Sequence, residues 1–173
     1  MPSRSAVADA IDPSQLRRAF GLYATGVTII TAEHPTRGKV GVTANSFASV
    51  SLEPPLLLFS LARTAFSLQP LLESPGFVVN VLRAGQRALS HRFAHSAGDK
   101  WAGLSWRPAS NGAPILAGVI ASFECVHHGQ HDGGDHLICV GRVVGMDNDP
   151  EGEPLLYFHS RYRAMGAEIE SDP

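Results

Sequence analysis

The stretch VGVTANSFASVSLEPPLLLFSL, residues 40–61, decides the fold assignment of the whole chain. Its second segment, residues 56–61, is an apolar run typical of a buried strand, and Pro54-Pro55 marks its start because proline cannot donate to a β-ladder. Small polar side chains and free backbone N–H groups can together line a concave surface for a phosphate or a polar ring edge. The alternative interpretation is a hydroxyl-rich strand and turn on a sheet surface. The small polar residues of the first segment are Thr43, Asn45, Ser46, Ser49 and Ser51.

The rest of the sequence excludes several classes of protein. Neither G-x-x-x-x-G-K-[ST] nor G-x-G-x-x-G occurs, so no P-loop or dinucleotide fingerprint is predicted. The 173 residues fit one domain, and a net charge of −2 gives no reason to expect a nucleic-acid partner. Cys125 and Cys139 form no C-x-x-C pair and are interpreted as core residues. The N-terminus lacks a signal-peptide pattern and no apolar run reaches membrane length, so we expect a cytoplasmic protein without a membrane partner.

Hydrophobic periodicity and turn residues predict a mainly β domain with a few helices. A helix is expected to open at Asp12-Pro13 and to pack its apolar face, which includes Leu16, Phe20 and Tyr23, against an apolar surface. Further helices are predicted at 63–73 and 85–93, and a loop anchored by Trp101 and Trp106 at 95–114. Strands are predicted at 27–32, 39–46, 56–61, 77–82, 115–128, 136–146 and 154–159, with a tight Gly-Gly turn before 136. The predicted domain covers residues 12–166, between a flexible tail (1–11) and a polar tail (167–173).

Six separated pieces of the chain carry a resemblance to a known family. They are FGLYATGVTIIT (20–31), TANSFASVSLEPPL (43–56), FVVNVL (77–82), RFA with the later DKWAGL (92–94 and 99–104), GDH (134–136) and RYR (161–163). In this order they resemble the flavin reductase-like family, the small reductase components of two-component flavin monooxygenases. The resemblance implies a Greek-key split β-barrel, the FMN-binding split barrel, with a few capping helices and a homodimeric assembly.

The resemblance also implies a set of cofactor-binding residues. Residues 43–46 would contact the ribityl chain and ring edge of FMN or FAD, and residues 49–51 would extend those contacts. Residues 60–62 would border the isoalloxazine ring, and Phe66 with residues 80–82 would close the pocket. These expected contacts are Thr43, Ala44, Asn45, Ser46, Ser49, Val50, Ser51, Ser60, Leu61, Ala62, Phe66, Asn80, Val81 and Leu82.

Basic and aromatic residues complete the expected site. A flavin phosphate needs positive charge or N–H donors, which Arg87, Arg92 and Lys100 can supply. We select Arg87 first and Lys100-Trp101 next, on the phosphate or on the adenine of FAD; a solvated helix face is the alternative for each. Tyr162 resembles an aromatic residue that the family places near the flavin, and an exposed basic tail is the competing interpretation.

Four histidines near the predicted Gly-Gly turn form a further constellation. Imidazoles interleaved with carboxylates suit zinc or iron, but neighbouring strand residues such as His127 and His128 point to opposite faces. No metal site is therefore predicted. His136 differs from His131 and the other two because it matches the GDH piece of the family, where it would orient the dihydronicotinamide of NADH or NADPH over the flavin. Its alternative role is a hydrogen bond to the hairpin backbone.

The expected function is that of an NAD(P)H:flavin oxidoreductase that supplies reduced FMN or FAD to a separate flavin-dependent oxygenase. Hydride transfer needs no protein nucleophile, because the cofactors carry the chemistry. Two alternatives stay open. One is a flavin-binding split-barrel protein without reductase activity, such as a carrier or another oxidase. The other is a metal-binding module built on the histidines.

Overall fold

The computed structural model describes residues 11–95 and 98–167. The helices in these residues are α1 (Pro13–Phe20), α2 (Leu68–Leu72) and α3 (Arg87–Ala94), with a 3₁₀ turn at Ala84–Gln86. The strands are β1 (Thr25–Gly26), β2 (Thr28–His34), β3 (Gly38–Ala44), β4 (Ala48–Leu52), β5 (Pro55–Ala62), β6 (Phe77–Val81), β7 (Trp106–Pro108), β8 (Pro114–Leu116), β9 (Ala121–Gly133), β10 (His136–Asn148), β11 (Leu156–Phe158) and β12 (Arg161–Arg163). None of the helices in these residues has the length and apolar character needed to span a bilayer. The expected tails, 1–11 and 167–173, fall almost wholly outside the described residues.

Seven strands form one antiparallel sheet in the order β3-β2-β6-β9-β10-β5-β4. The order is not that of the chain, since β6 lies between β2 and β9 and β5 pairs with β10, as a Greek-key connection requires. The chain passes directly from β3 to β4, the two ends of this order, where the hydroxyl of Ser46 binds the backbone of Ser60 on β5. The prediction of a mainly β domain is confirmed.

The barrel core follows from the period-2 pattern of its strands. On β5 the side chains of Leu57, Phe59 and Leu61 are buried, and the residues between them are only partly covered. Phe59 meets Phe77 of β6 edge to face, with ring centroids 5.2 Å apart. Because Phe59 points inward, Ser60 faces the other side of the sheet, where it can contribute to a surface site.

A second apolar cluster packs α3 against the outer face of β3. Phe93 is fully buried there and meets Trp101 edge to face at 5.1 Å. Gly41 of β3 permits this contact, because a Cβ at that position would lie 2.3 Å from the Phe93 ring. The close approach sets Ser90, one helical turn before Phe93, beside Thr43.

Two predicted elements are shorter than expected. The strand expected at 115–128 is broken after β8, because Gln86 and Arg83 bind the carbonyls of Ala117 and Gly118 at 3.0 and 3.2 Å. The helix expected at 63–73 is reduced to α2. Arg63, where the predicted helix began, instead donates its backbone N–H to the carbonyl of Asp135 at 2.9 Å.

The prediction of a loop over 95–114 is only partly correct. Trp101 does anchor this segment, since its indole N–H donates to the carbonyl of Lys39 at 3.2 Å. Trp106, however, lies in β7, which pairs with β8, and it is 38% exposed. The ammonium group of Lys39 lies 5.1 Å from its ring centroid, so Trp106 makes a surface cation–π contact and does not anchor a core.

The apolar face of α1, predicted to pack against an apolar surface, is not buried by any of the residues that the structure describes. Asp12 caps the helix as expected, through a 2.9 Å hydrogen bond from the N–H of Ser14. No residue of α1 is buried, and beyond its end Tyr23 is 79% exposed, with Phe20 69% exposed in the last turn. Phe20 and Tyr23 thus leave aromatic surface exposed beside the start of β1.

The predicted last strand at 154–159 is also incomplete. After β11 the chain reverses at His159 and Ser160, which both have positive φ angles, 52° and 56°. It then returns as β12, so that Tyr162 pairs with Tyr157. A hairpin packed against the domain therefore precedes residues 167–173, the predicted polar tail.

Candidate functional site

Two adjoining grooves meet at Asn45, the residue that follows β3. One has a volume of about 220 Å³ and the other about 190 Å³, and Asn45 and Tyr157 line both. The Asn45 side chain is exposed and is held in place by a 3.3 Å hydrogen bond from its Nδ2 to Thr25 Oγ1. Further lining residues of the two grooves are Arg17, Phe20, Tyr23 and Ser160 for the larger, and Thr43, Ser90, Ala94 and Tyr162 for the smaller.

One wall of the smaller groove is built by α3 and the C-terminal hairpin. Thr43 Oγ1 donates to the carbonyl of Ser90 at 2.6 Å, and the hydroxyls of Ser90 and Tyr162 lie 2.9 Å apart. The ring of Tyr162 meets Tyr157 edge to face at 5.4 Å, and the guanidinium of Arg87 lies 5.7 Å from the ring centroid of Tyr162. The structure thus places three residues expected at the flavin, Thr43, Arg87 and Tyr162, around one helix.

A second set of expected residues lies towards the other end of β3. Phe66, Lys100 and Trp101 line a groove of about 320 Å³ together with Arg37 and Lys39. The ammonium group of Lys100 is 3.4 Å from the carbonyl of Gly41, and burial lowers the pKa of Lys100. Arg92, in contrast, binds within the chain: its Nη2 donates to the carbonyls of Asp99 and Ala102.

Several expected contacts face the protein interior instead of a groove. Asn80 is fully buried, and its carboxamide donates to the carbonyl of Ile29 at 3.1 Å and accepts from the N–H of Leu116 at 2.8 Å. Leu82 and Leu61 belong to the two apolar clusters. The Asn80 carboxamide is therefore already hydrogen bonded, and Leu61 and Leu82 are packed in the core. These three side chains offer no surface to a ligand.

The remaining expected contacts lie on or near the strand edges. The hydroxyl of Ser46 is 2.9 Å from the N–H of Ser60. Val50 is exposed on the edge strand β4, and Ser49 and Ser51 flank it. Three residues of the expected set remain, all at strand ends: Val81 and Ala62 are partly buried, and Ala44 is buried at the end of β3.

His136 opens β10 beside the part of β5 that binds Ser46, the residue after Asn45. It pairs with Ala62, two residues from Ser60 along β5. Its Nδ1 lies 2.7 Å from the Asp135 carboxylate, and this hydrogen bond holds the pKa of Asp135 below its usual range. The positive charge of Arg17, which lines the larger Asn45 groove, is the smallest of the influences that lower the same pKa.

The other histidines do not converge. The Nε2 of His127 is 3.0 Å from the carbonyl of Ser74, and its ring packs on Phe77 at 5.3 Å. His128 and His131 are exposed on the hairpin. Within residues 11–95 and 98–167, no group of three or more histidine, cysteine, aspartate or glutamate side chains is close enough to hold a metal ion.

Comparison with known proteins places the chain in a family. Residues 20–166 match the family model described as flavin reductase like domain. The chain belongs to the flavin reductase-like family. A relative in Rhizobium meliloti, the stachydrine N-demethylase reductase subunit Stc3, is 47% identical over 139 residues, which cover 80% of this chain and 60% of Stc3. This chain thus spans about 60% of the length of that relative.

Other members of the flavin reductase-like family match over most of their length. The reductase subunit HsaB of a Mycobacterium tuberculosis flavin-dependent monooxygenase is 39% identical over 160 residues, which cover 91% of this chain and 85% of HsaB. The solved structure of the Streptomyces globisporus NADH:FAD oxidoreductase SgcE6, in complex with NAD and FAD fragments, superposes with a TM-score of 0.86 at 38% identity. That match covers 92% of this chain and 98% of SgcE6. The predicted family and the predicted split-barrel fold are confirmed.

Three residues of the site in this flavin reductase-like chain had no signal in the sequence. Arg17 lies on α1, which was identified only by its cap and its apolar face, and Tyr157 lies in the short apolar strand β11. Ser90 is an isolated serine inside α3. Each reaches the site only through tertiary packing, which residue spacing along the chain does not encode.

Proposed function

We propose that this protein is an NAD(P)H:flavin oxidoreductase that reduces FMN or FAD by hydride transfer and supplies reduced flavin to a separate flavin-dependent oxygenase. The observation that carries the proposal is that His136 pairs with Ala62 on β5, two residues from Ser60, whose backbone binds Ser46 beside the Asn45 grooves. The names of the relatives support it, since they are reductases and reductase subunits. A cytoplasmic location, where both nicotinamide dinucleotides occur, is part of the proposal.

The residues around Asn45 fit a flavin. The ligand is flat and apolar with polar edges, so a matching site needs apolar surface interrupted by a few hydrogen-bonding groups. Tyr157 and Tyr162 supply aromatic surface, and Thr43, Asn45 and Ser90 supply hydroxyl and amide groups beside it. Bound flavin supplies the acceptor for the hydride, and the protein supplies orientation and water exclusion.

The roles of individual side chains follow from their surroundings. The Asn45 carboxamide is exposed at the meeting point of the grooves, where it can hydrogen bond a polar ring edge. Arg17 places a positive charge beside it, which suits a phosphate of either ligand. The Nδ1 of His136 is engaged by Asp135, which leaves Nε2 to orient the nicotinamide.

We further propose that two copies of the chain form the working unit. Each Asn45 groove is smaller than the ~300–1,000 Å³ usual for small-molecule sites, so one chain alone offers an open half-site. Phe20 and Tyr23 are exposed at the rim of the larger groove, and Val50 and Leu52 are exposed on the unpaired edge of β4. Sedimentation equilibrium tests this: a dimer is expected, and a monomer at every concentration would contradict it.

The decisive experiment for the activity is a matrix of NADH or NADPH with FMN or FAD, following loss of the reduced nicotinamide under anaerobic conditions. Stoichiometric oxidation of nicotinamide with flavin reduction in at least one pair is expected. Tight flavin binding without turnover in all four pairs would favour a carrier. A stoichiometric metal without flavin binding, by elemental analysis of untagged protein, would favour the metal-binding alternative.

A further inference from the structure

Arg63 lies directly after β5 and directs its hydrogen-bond donors at the β9–β10 turn. Its backbone N–H donates to the carbonyl of Asp135 at 2.9 Å, and its Nε donates to the carbonyl of Gly134 at 2.9 Å. Its Nη2 donates to Asp132 Oδ1 at 2.7 Å. The same carboxylate oxygen accepts the N–H of Gly134 at 3.0 Å, so Arg63 and Asp132 together bind three points of the turn.

The turn needs such external support because of its own sequence. Gly133 and Gly134 have no side chains to restrict the backbone, and Gly134 has a φ of 76° that other residues rarely adopt. Residue 136 begins β10 immediately after this turn. Any movement of the turn therefore moves Asp135 and the His136 ring bonded to it.

The ion pair by itself does not explain the arrangement. Arg63 and Asp132 are 47% and 80% exposed, and an exposed ion pair adds little stability. The guanidinium instead fixes the orientation of the turn. Its planar fork binds a backbone carbonyl and a carboxylate at once, whereas a lysine ammonium on a flexible stem would not hold the two in a fixed orientation. The contact thus indicates a role in orientation.

We infer that Arg63 is a positioning residue for the nicotinamide: it fixes the Asp135–His136 pair relative to the end of β5 and hence to the Asn45 grooves. The inference rests on the proposed function, in which His136 orients the dihydronicotinamide. Arg63 touches no ligand in this scheme. It acts through the turn, so its removal changes the use of NADH or NADPH and leaves flavin binding in place.

The test compares Arg63→Gln and Arg63→Lys with Arg107→Gln in the full-length protein. Arg107 is a matched control because it pairs with Asp147 at the opposite end of β10, at 3.1 Å and with similar exposure. We expect Arg63→Gln to raise the KM for NADH or NADPH by about tenfold, as misplacement of an orienting group does, without change in flavin affinity or Tm. Arg63→Lys should recover part of the loss and Arg107→Gln should behave as wild type.

A readout independent of turnover separates this inference from the proposed function. Amide hydrogen exchange at Gly134 should become about tenfold faster in Arg63→Gln, because a released turn opens more often, and should stay unchanged in Arg107→Gln. Unchanged exchange at Gly134, or faster exchange with an unchanged nicotinamide KM, would overturn the inference. Equal losses of nicotinamide and flavin binding with a lower Tm would assign Arg63 a structural role only, and also overturn it. A wild-type protein that oxidises no nicotinamide would instead refute the proposed function.

Discussion

The hydroxyl of Ser46 accepts a hydrogen bond from the N–H of Ser60 at 2.9 Å and lies 3.0 Å from the carbonyl of the same residue, to which it donates. In the β4–β5 register, Ala48 opposes Leu58, so Ser46 would oppose Ser60 if the strand continued. The chain leaves the sheet at this point, and one side chain replaces the missing backbone pairing. Ser46 therefore joins the segment between β3 and β4 to β5 beside the candidate site.

Replacement of Ser46 by alanine tests this link. Ser46→Ala leaves the N–H and the carbonyl of Ser60 without their partner, and water can satisfy them only in part because the site is half-buried. We expect the free energy of unfolding to fall by about 1 kcal/mol, measured by urea denaturation. Ser49→Ala on the exposed face of β4 is the control and should stay within about 0.5 kcal/mol of wild type. An equal effect of the two substitutions would show that the Ser46 link adds no stability.

Replacement of Asn45 tests the flavin assignment. Asn45→Leu removes a polar partner for the ring edge and adds bulk where the two grooves meet, so flavin affinity should fall by about tenfold or more, since loss of a hydrogen-bonding group in a preformed site costs at least that factor. Flavin fluorescence titration measures it. Asn148→Leu, at the far end of β10, is the matched control. Unchanged affinity in Asn45→Leu would remove Asn45 from the site.

Replacement of His136 tests the nicotinamide assignment. His136→Ala removes the ring that Asp135 orients, so the KM for NADH should rise by about tenfold while flavin affinity changes little. Steady-state kinetics and flavin titration on the same preparation measure the two quantities. His128→Ala, an exposed histidine on the same hairpin, should match wild type. A larger effect on flavin than on NADH would place His136 at the flavin.

The β11–β12 turn provides a prediction about stability. His159 and Ser160 both adopt left-handed φ angles, for which Asn-Gly is the preferred pair in a two-residue hairpin turn. The double substitution His159→Asn with Ser160→Gly should raise the free energy of unfolding by about 1 kcal/mol and Tm by ~2–4 °C. Ser160→Val should have the opposite effect, because a β-branched residue is disfavoured at positive φ. A double variant less stable than wild type would contradict this reasoning.

The hairpin turn should also respond to acid. Two hydrogen bonds hold the pKa of Asp132 below its usual range. The one from the Arg63 side chain has the larger effect, and the one from the N–H of Gly134 comes second. Because the folded-state pKa lies below the unfolded value of about 3.9, this exposed contact makes its small contribution to stability above that pH and loses it as pH falls through the lower, folded-state pKa. NMR titration of the Asp132 carboxyl should show this pKa rising in Arg63→Gln. An identical pKa in the two proteins would mean that Arg63 does not bind Asp132 in solution.

Much of the fold could be predicted from the sequence because its signals are local. The β-branched run of β2, the apolar run of β5 and the Gly-Gly turn before β10 each specify a strand or a hairpin from a few neighbouring residues. The break between β8 and β9 could not be predicted in this way. It depends on Gln86 and Arg83, which are distant in sequence, binding the carbonyls of Ala117 and Gly118.

The candidate site was predictable only in part for the same reason. Asn45 and Thr43 lie in a stretch whose small polar residues stand out between two strands, whereas Asn80 carries the same side-chain chemistry but lies in the core. Residue type does not separate the two asparagines. Tertiary partners do, since the Asn80 carboxamide binds two separate segments, β2 through Ile29 and Thr31 and β8 through Leu116.

The exposure of Phe20 and Tyr23 at the end of α1 has a practical consequence for anyone who assays the protein. If two chains associate through α1 and the free edge of β4, dilution will separate them. The turnover per chain will then decrease as the enzyme is diluted, whereas a stable dimer would show a constant value. Measurements at the low protein concentration of an assay and at the high concentration of a stock solution would then describe the monomer and the dimer, respectively. Plotting rate against enzyme concentration would reveal this as upward curvature.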